Sequence, residues 1–493
     1  MKLLKDLLYG VRLKDVVGHT QTAINNVCYD SREVQENSLF VAIRGTQVDG
    51  HDFIEKAVIA GAIAIVCEQM PKNTTAGIQY VVTRNSAMAL SAIASNWYEN
   101  PSQEMTVVGI TGTNGKTTVS TLLFHLFSEL DGASCGLLST IDVKIGKESI
   151  PATHTTPDAL SIQRHMRTMA NAGVKYCFME VSSHALVQCR AAHVDFDAAV
   201  FTNITRDHLD YHGDMNSYVK AKKILFDQLK NDAVAIYNDD VKHSSSMIKD
   251  CKARTKSYAL QFPSDYKTKI MERRFDGMLL SINEQECWSR ILGDFNAYNL
   301  TAVYAVAVEL GKDPLQVLTT MSLLQPVEGR FHSITGKGIT AIVDYAHTPD
   351  ALKNVLKTIE ILNDGQGKII TVVGCGGNRD KGKRPIMAEI AASHSDRVIL
   401  TSDNPRDEDP DVILQDMANG LNSDQESRTI QIIDRRQAIK SAVMLAEPGD
   451  VILLAGKGHE KYQEIKSVRL HFDDLEEIHL SLIHISEPTR PSQ

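Results

Sequence analysis

Aromatic residues make up only 6% of the 493 residues, two tryptophans among them, and long apolar runs are missing altogether. No stretch reaches the roughly 18 uninterrupted apolar residues that a membrane helix requires, and the opening Met1-Lys2-Leu3-Leu4-Lys5-Asp6 has no apolar core of the kind a cleavable signal carries. Cysteine is sparse too. The eight, Cys28, Cys67, Cys135, Cys177, Cys189, Cys251, Cys287 and Cys375, include no C-x-x-C pair, which excludes a disulfide scaffold or a paired-cysteine zinc site. They read as reduced, mostly buried thiols. Basic tracts are the last absence: 52 Lys and Arg against 61 Asp and Glu leave a formal charge of −9, and scattered cations make no nucleic-acid footprint. A soluble, cytoplasmic protein without a nucleic-acid partner or membrane span is expected.

What the chain does have is length and alternation. With 43% hydrophobic content over 493 residues it exceeds one ordinary core, and about three domains are expected. Over residues 1–100, short apolar strands at Leu39 to Ile43, Ala62 to Val66 and Gln79 to Val82 alternate with helical stretches such as Phe53 to Ala60. They make a small α/β unit that closes near the turn Asn100-Pro101-Ser102. A second α/β region, 101–329, carries candidate strands at Lys175 to Val181, Ala198 to Asn203 and Ala233 to Asn238. In the third, 330–479, strands at Thr340 to Asp344, Ile369 to Val373, Arg397 to Thr401 and Val451 to Ala455 are separated by helical stretches, the pattern of a doubly wound parallel sheet. The stretch 480–493 fits nothing before it and resembles translated sequencing-adapter read-through. A non-native tail is expected there, and no function is assigned to it.

The most informative run is Gly109-Ile110-Thr111-Gly112-Thr113-Asn114-Gly115-Lys116-Thr117-Thr118. It continues the β-branched Met105-Thr106-Val107-Val108 and precedes Val119 to Leu130, whose apolar spacing is that of a buried helix. A glycine-rich strand-to-helix turn aims backbone N–H groups and a helix N-terminus at one anion. Gly112 and Gly115 allow close approach to phosphate, Lys116 would reach the outer phosphates, and the Thr117 hydroxyl would take a place on Mg²⁺. Ile110 stands where the strict motif has its first glycine. The plain alternative is a glycine turn with an incidental lysine.

The core from Gly112 to Thr118 resembles the phosphate loop of the Mur ligase family, ATP-dependent enzymes that form amide bonds in peptidoglycan synthesis. The resemblance implies a small N-terminal α/β domain, a central P-loop mononucleotide-binding domain and a C-terminal Rossmann-like domain, with Gly112, Thr113, Asn114, Gly115, Lys116, Thr117 and Thr118 on ATP. Other runs carry it further. Glu180 ends a strand, where an acidic residue can hold a metal beside the phosphate loop, although alone it reads as structural. Thr202 to Gly213 crowds carboxylates and histidines into one loop. The resemblance assigns Glu180 and His208 to divalent metal. Lys222 by itself reads as an ordinary surface lysine. In the family the equivalent residue is carbamylated by CO₂, which turns a cation into an anion able to help hold a second Mg²⁺. Asn296 and Asn299 read alone as helix caps, and the resemblance lays them against adenine. It also implies that Arg330 reaches phosphate, Asp344 the ribose and His347 the nucleotide region. A site split across two domains implies closure that excludes water from a hydrolysable intermediate.

Substrate contacts follow from the same resemblance. Tyr29-Asp30-Ser31-Arg32 and Thr46-Gln47-Val48-Asp49-Gly50-His51 look like the family's uridine-nucleotide site, with Ser31 as the expected contact. Thr155, Thr156, Ser182, Gln188 and Arg190 match contacts to the muramoyl-dipeptide. Gly376 to Gly382, including Arg379, together with Asp403-Asn404-Pro405-Arg406 and Gly456 to Glu460, resemble the amino-acid pocket of members that add meso-diaminopimelate. That amino acid differs from lysine by a second carboxylate, which a planar arginine fork reads well. Arg406 would be left unpaired by lysine, and Glu460 would pair with the distal amino group. Catalysis is expected from positioning and charge neutralisation by Lys116, Glu180, His208, Mg²⁺ and the Lys222 carbamate, in a monomer with no covalent nucleophile. Three alternatives stand beside this: a sister ligase adding L-lysine, which Arg406 disfavours; a folylpolyglutamate synthetase, which the Asp403 to Arg406 run disfavours; and a P-loop regulator that binds ATP without forming a bond.

Overall fold

The computed structural model describes residues 1–484 except 46, 47, 133 and 153. Three sheets organise it. The first runs in the order Leu13–Val17, Gln79–Thr83, Ala62–Cys67, Ser38–Val41, Asn26–Cys28. Gln79–Thr83 and Ser38–Val41 are buried at every position, because helices cover both faces and continuous apolar runs are what such strands require. Thr46 and Gln47 of the candidate uridine loop lie outside the described residues.

The central sheet has eleven strands, and the phosphate-loop strand Thr106–Thr111 lies in its middle between Tyr176–Glu180 and Ala198–Phe201, parallel to both. Helices crossing to opposite sides leave a crevice at the carboxyl ends of these strands, the place where doubly wound sheets bind ligands. The following helix spans Lys116–Asp131 and stops at Gly132, a left-handed residue at φ 55°. Both margins of the sheet are antiparallel. One is made by Cys135–Leu138, Asp142–Ile145 and Glu148–Pro151, the other by Tyr266–Arg274, Gly277–Ile282 and Gln285–Ser289.

In the third sheet, five parallel strands follow the order Ile339–Asp344, Val451–Ala455, Ile369–Cys375, Arg397–Ser402, Thr429–Ile432. The parallel expectation holds for these, and His332–Gly336 adds an antiparallel edge through the turn at Lys337 and Gly338. Residues 480–484 open the stretch expected to be a non-native tail. They finish the helix Asp474–His484, with Leu482 packed into the core of the third sheet and the Ser481 hydroxyl donating to the Glu477 carbonyl at 2.7 Å. Residues 485–493 lie outside the described residues. The central core and one face of the third sheet form one contiguous apolar cluster, in which Phe295 and Phe331 meet at a ring distance of 6.1 Å. Among the described residues no helix is long and apolar enough to cross a membrane.

Candidate active site

The phosphate loop needs its two glycines for different reasons. Gly112 has φ +155°, and a Cβ there would collide with the Thr202 hydroxyl; at Gly115, φ +88°, it would come within 2.5 Å of Asn299 Oδ1. Ile110 by contrast is a strand residue with no exposed surface, packed in the central core, so the position of the missing motif glycine is a core position. The loop is strapped to the end of Ala198–Phe201. Asn203 accepts from the Asn114 amide (2.9 Å) and the Thr113 amide donates to the Asn203 carbonyl (2.9 Å), while Thr202 Oγ1 donates to the Asn114 carbonyl at 2.6 Å. Lys116 Nζ donates to the carbonyls of Gly112 and Thr113, both at 2.9 Å. Lost hydration pulls its pKa down, opposed by Glu180 and Asp207.

Glu180 is wholly buried at the end of its strand. It accepts from the Thr140 amide (2.8 Å), the Thr140 hydroxyl (3.1 Å) and the Thr117 hydroxyl (3.1 Å). Burial raises its pKa, opposed first by Lys116. Arg330 completes the chain from the third sheet's side: its guanidinium donates to Thr117 Oγ1 at 3.1 Å and lies 4.5 Å from the Tyr345 ring centroid. The Arg330 Nε is buried without a partner among the described residues. A second strap crosses the same junction, from Asn114 Nδ2 to Asp350 Oδ2 at 3.3 Å.

Lys222 departs most from its plain reading. It is 1% exposed on the helix Met215–Asp227, its Nζ donates to the Gly112 carbonyl at 2.7 Å, and it sits 4.5 Å from the Tyr218 ring centroid. Burial, then the neighbouring Lys116 charge, depresses its pKa well below that of a free lysine. His208 stands at a left-handed φ of 54°, 3.3 Å from Asp207. Lost hydration, against the pull of Asp207, holds its pKa at about 4, so the imidazole is neutral at pH 7. Among the described residues no group of three His, Cys, Asp or Glu is arranged to hold a metal by itself.

Asn296 and Asn299 are buried and bonded to one another (2.8 Å), and Asn296 Nδ2 also donates to the Leu292 carbonyl (2.7 Å). Neither is the helix cap, which is Gly293 at φ 100°. Asp344 accepts from the Phe331 amide at 2.7 Å, and burial lifts its pKa to about 6. His347 donates through Nδ1 to the Tyr345 carbonyl, 2.9 Å away, and burial lowers its pKa to about 4.

A cleft of about 450 Å³ brings together Thr113 to Thr117, Thr155, Thr156, Glu180, Ser182, Arg190, His208, Arg330 and His347, along with Arg379, Asp403, Asn404, Arg406, Gly456 and Glu460. A second of about 1,110 Å³ holds Ser31, Tyr29, Gln188 and the cations Arg32, Arg44, Lys56 and Arg84. His154 and Arg190 line both, so one continuous surface runs between them. Arg190 donates to the Thr156 carbonyl (2.8 Å) and to Gln188 Oε1 (2.6 Å); Thr155 meets the Thr140 hydroxyl (3.1 Å). Ser182 caps the short helix Ser183–Val187 and its amide donates to Thr156 Oγ1 (3.0 Å). Gly112, Thr118, Asn296, Asn299, Asp344, Lys222 and Pro405 stand behind the surface of the first cleft rather than on it.

In the lining of the first cleft Arg406 is also left-handed, φ 52°, and donates to the Gly377 carbonyl at 2.8 Å. Glu460 accepts from Asn404 Nδ2 at 2.7 Å and lies 3.4 Å from Lys457. Burial and then the Asp403 charge raise its pKa, which Lys457 resists. Lys457, with no exposed surface, and also Thr140, Asn203, Tyr218 and Asp350 belong to the site without a sign in the sequence. Lys457 and Asn203 lie inside the runs Gly456 to Glu460 and Thr202 to Gly213, but burial and hydrogen bonds of this kind are not announced by any spacing.

Residues 23–102 match the description "Mur ligase family, catalytic domain", residues 110–307 "Mur ligase middle domain" and residues 329–458 "Mur ligase, glutamate ligase domain". The UDP-N-acetylmuramoyl-L-alanyl-D-glutamate--2,6-diaminopimelate ligase of Parabacteroides distasonis is 52% identical over 476 residues, 96% of this chain and 98% of that one. The protein of the same name from Bacteroides thetaiotaomicron is 50% identical over 475 residues, 96% and 98% of the two chains. A solved structure bearing that name superposes with a TM-score of 0.68 at 32% identity, covering 99% of this chain and 100% of its own. The fold alone is shared with MurF ligase from Thermotoga maritima in complex with ADP, TM-score 0.63 at 20% identity over 94% and 99%. With relatives this close along nearly the whole chain, this protein belongs to the Mur ligase family.

Proposed function

We propose that this chain is the ATP-dependent ligase that joins meso-diaminopimelate to the D-glutamyl γ-carboxylate of UDP-N-acetylmuramoyl-L-alanyl-D-glutamate, acting as a cytoplasmic monomer. The observation that supports this reading is one shared cleft lined by Lys116, Arg330, Thr156, Arg190, Arg406 and Glu460 together. The γ-carboxylate oxygen attacks the γ-phosphorus of ATP, ADP leaves, and an acyl phosphate results. The diaminopimelate nitrogen then attacks the acyl carbon, phosphate leaves, and the nitrogen gives up its proton as the amide forms. Lys116 and Arg330 neutralise charge on the transferring group, and the docking of the third sheet over the loop keeps water from the acyl phosphate.

Mg²⁺ fits the donors present: the Glu180 carboxylate and Thr117 hydroxyl are hard oxygens 3.1 Å apart, and His208 offers a neutral nitrogen at the cleft. Bound there, the ion would screen the phosphate oxygens from the incoming carboxylate. Lys222 fits carbamylation, since only an uncharged amine adds CO₂ and its burial shifts the balance toward that form. Arg406 favours diaminopimelate over lysine as the amino acid. Phosphate release measured with UDP-muramoyl-dipeptide and ATP, with either meso-diaminopimelate or L-lysine, tests the reading. Release that depends on diaminopimelate is expected; a preference for lysine, or release with no acceptor, would overturn it.

A further inference from the structure

Behind the amino-acid end of the cleft lies an ion-pair cluster that touches no reacting atom. Arg384, on the helix Lys383–Ser393, has no exposed surface. Its guanidinium donates to Asp416 Oδ2 at 2.8 Å, to Glu408 Oε1 at 3.0 Å and to the Gly376 carbonyl at 3.4 Å. The same Glu408 oxygen accepts from the Asn378 amide at 2.6 Å, and its other oxygen is 3.3 Å from Lys381. The hydrogen bond from Arg384 holds the Glu408 carboxyl down at about 2, so it is ionised throughout the physiological range.

Glu408 thus stands where two loops meet. One is Gly376-Gly377-Asn378-Arg379; the other is Asp403-Asn404-Pro405-Arg406, on which Glu408 itself is anchored through its amide to the Pro405 carbonyl at 3.0 Å. The loops are packed backbone to backbone. The Gly377 amide donates to the Asn404 carbonyl at 2.9 Å, and a Cβ on Gly377 would strike the Pro405 carbonyl. Arg406 takes its direction from this junction, because its guanidinium donates to the Gly377 carbonyl and a Cβ on Gly376 would come within 2.9 Å of Arg406 Nη1. A left-handed arginine persists only where its surroundings over-determine it.

We propose that Glu408, gripped by the buried Arg384 guanidinium, is the positioning residue that aims Arg406 and through it sets the choice of amino acid. The inference rests on the amino-acid pocket assigned under the proposed function. Asp416 holds the opposite arm of the same guanidinium and reaches neither loop, so it serves stability alone.

The experiment is steady-state kinetics of the full chain. Glu408→Gln keeps the volume and removes the charge; KM for meso-diaminopimelate should rise about tenfold or more, with kcat and the KM for ATP within about twofold of the parent. In an Arg406→Ala background the same change should move KM by less than about twofold, because the residue it acts through is gone. Asp416→Asn should lower the melting temperature and leave all KM values in place. Glu408→Asp retains the charge one methylene short, should give an intermediate KM, and serves as the reporter if the glutamine variant does not fold. Additive effects of Glu408→Gln and Arg406→Ala, or equal losses in kcat and every KM, would overturn the proposal. A parent enzyme that prefers lysine would overturn the pocket assignment itself, and shows before any variant is made.

Discussion

Gly115→Ala puts a number on how tightly the phosphate loop is built. The residue has φ 88° and ψ −11°, so a side chain there costs about 1–2 kcal/mol in backbone strain. Its Cβ would also meet Asn299 Oδ1 at 2.5 Å. Asn299 has little freedom to give way, since its Nδ2 donates to Asn296 Oδ1 at 2.8 Å and Asn296 is itself tied to the Leu292 carbonyl at 2.7 Å, all of it buried. Displacing it forfeits roughly one buried hydrogen bond, about 1 kcal/mol, for a total near 2–3 kcal/mol. Asn299→Ala alone leaves Asn296 Oδ1 buried without that donor and costs about 1–3 kcal/mol. In the double variant the collision is absent, so the combined loss should fall short of the sum by about 1 kcal/mol. Urea unfolding followed by Trp288 fluorescence, in a chain where Trp97 is phenylalanine, reports on the central sheet because Trp288 lies in its strand Gln285–Ser289. Additivity within about 0.5 kcal/mol would show that Asn299 is not the wall the loop leans on.

Two further perturbations separate chemistry from fold. Lys222→Ala should lose about 100-fold or more in kcat and regain part of it with added acetate, which can take the place of a carbamate; full activity without carboxylate would remove the carbamate from the proposed function. Asp344→Asn should stabilise the chain at pH 8 while raising the KM for ATP. Burial lifts the Asp344 pKa from 3.8 to about 6, so the stability its neutral form gives is complete below about pH 4 and is lost as pH rises through about 6. At about 1.4 kcal/mol per pH unit the loss is on the order of 3 kcal/mol, and asparagine, neutral at every pH, still accepts from the Phe331 amide. Parallel pH profiles of the two proteins in urea would refute this account.

The parts of the fold that could be read from the chain are those where burial on both faces demands an apolar run. Val451–Ala455 and Ala198–Phe201 are fully buried and stand out in the sequence. Tyr266–Arg274 does not, because its exposed positions are Lys269, Met271, Arg273 and Arg274, and only the left-handed turn at Asn283 and Glu284 marks the meander that follows. The site divides in the same way. The phosphate loop announces itself because glycine spacing is a backbone property. Lys222 does not, since a lysine among other lysines on a helix carries no sign of which face is buried, and only the family resemblance singled it out. Glu408 and Arg384 each stand two residues beyond a motif, after Arg406 and Gly382, but their role depends on two loops meeting across a strand end, which no one-dimensional pattern contains.

The arrangement of cations around the loop gives the resemblance a physical footing. Lys116 and Lys222 both donate to the Gly112 carbonyl, at 2.9 and 2.7 Å, so two ammonium groups would share one neutral acceptor. Repulsion between them adds to the burial cost and falls on the more deeply buried partner, whose pKa is lowered by burial first and by Lys116 second. Both effects favour the uncharged Lys222 amine, and an uncharged amine is the form that reacts with CO₂. Carbamylation would reverse the sign of the group, so that the charge of Lys116, which disfavours an ammonium at Lys222, would favour a carbamate there. The neighbour that makes Lys222 a poor cation therefore makes it a good anion, and Lys116→Met should impair carbamylation of Lys222 as well as ATP use. Mass spectrometry of trapped carbamate in the two proteins would decide it: undiminished carbamate in the Lys116→Met variant would break the link between the two lysines.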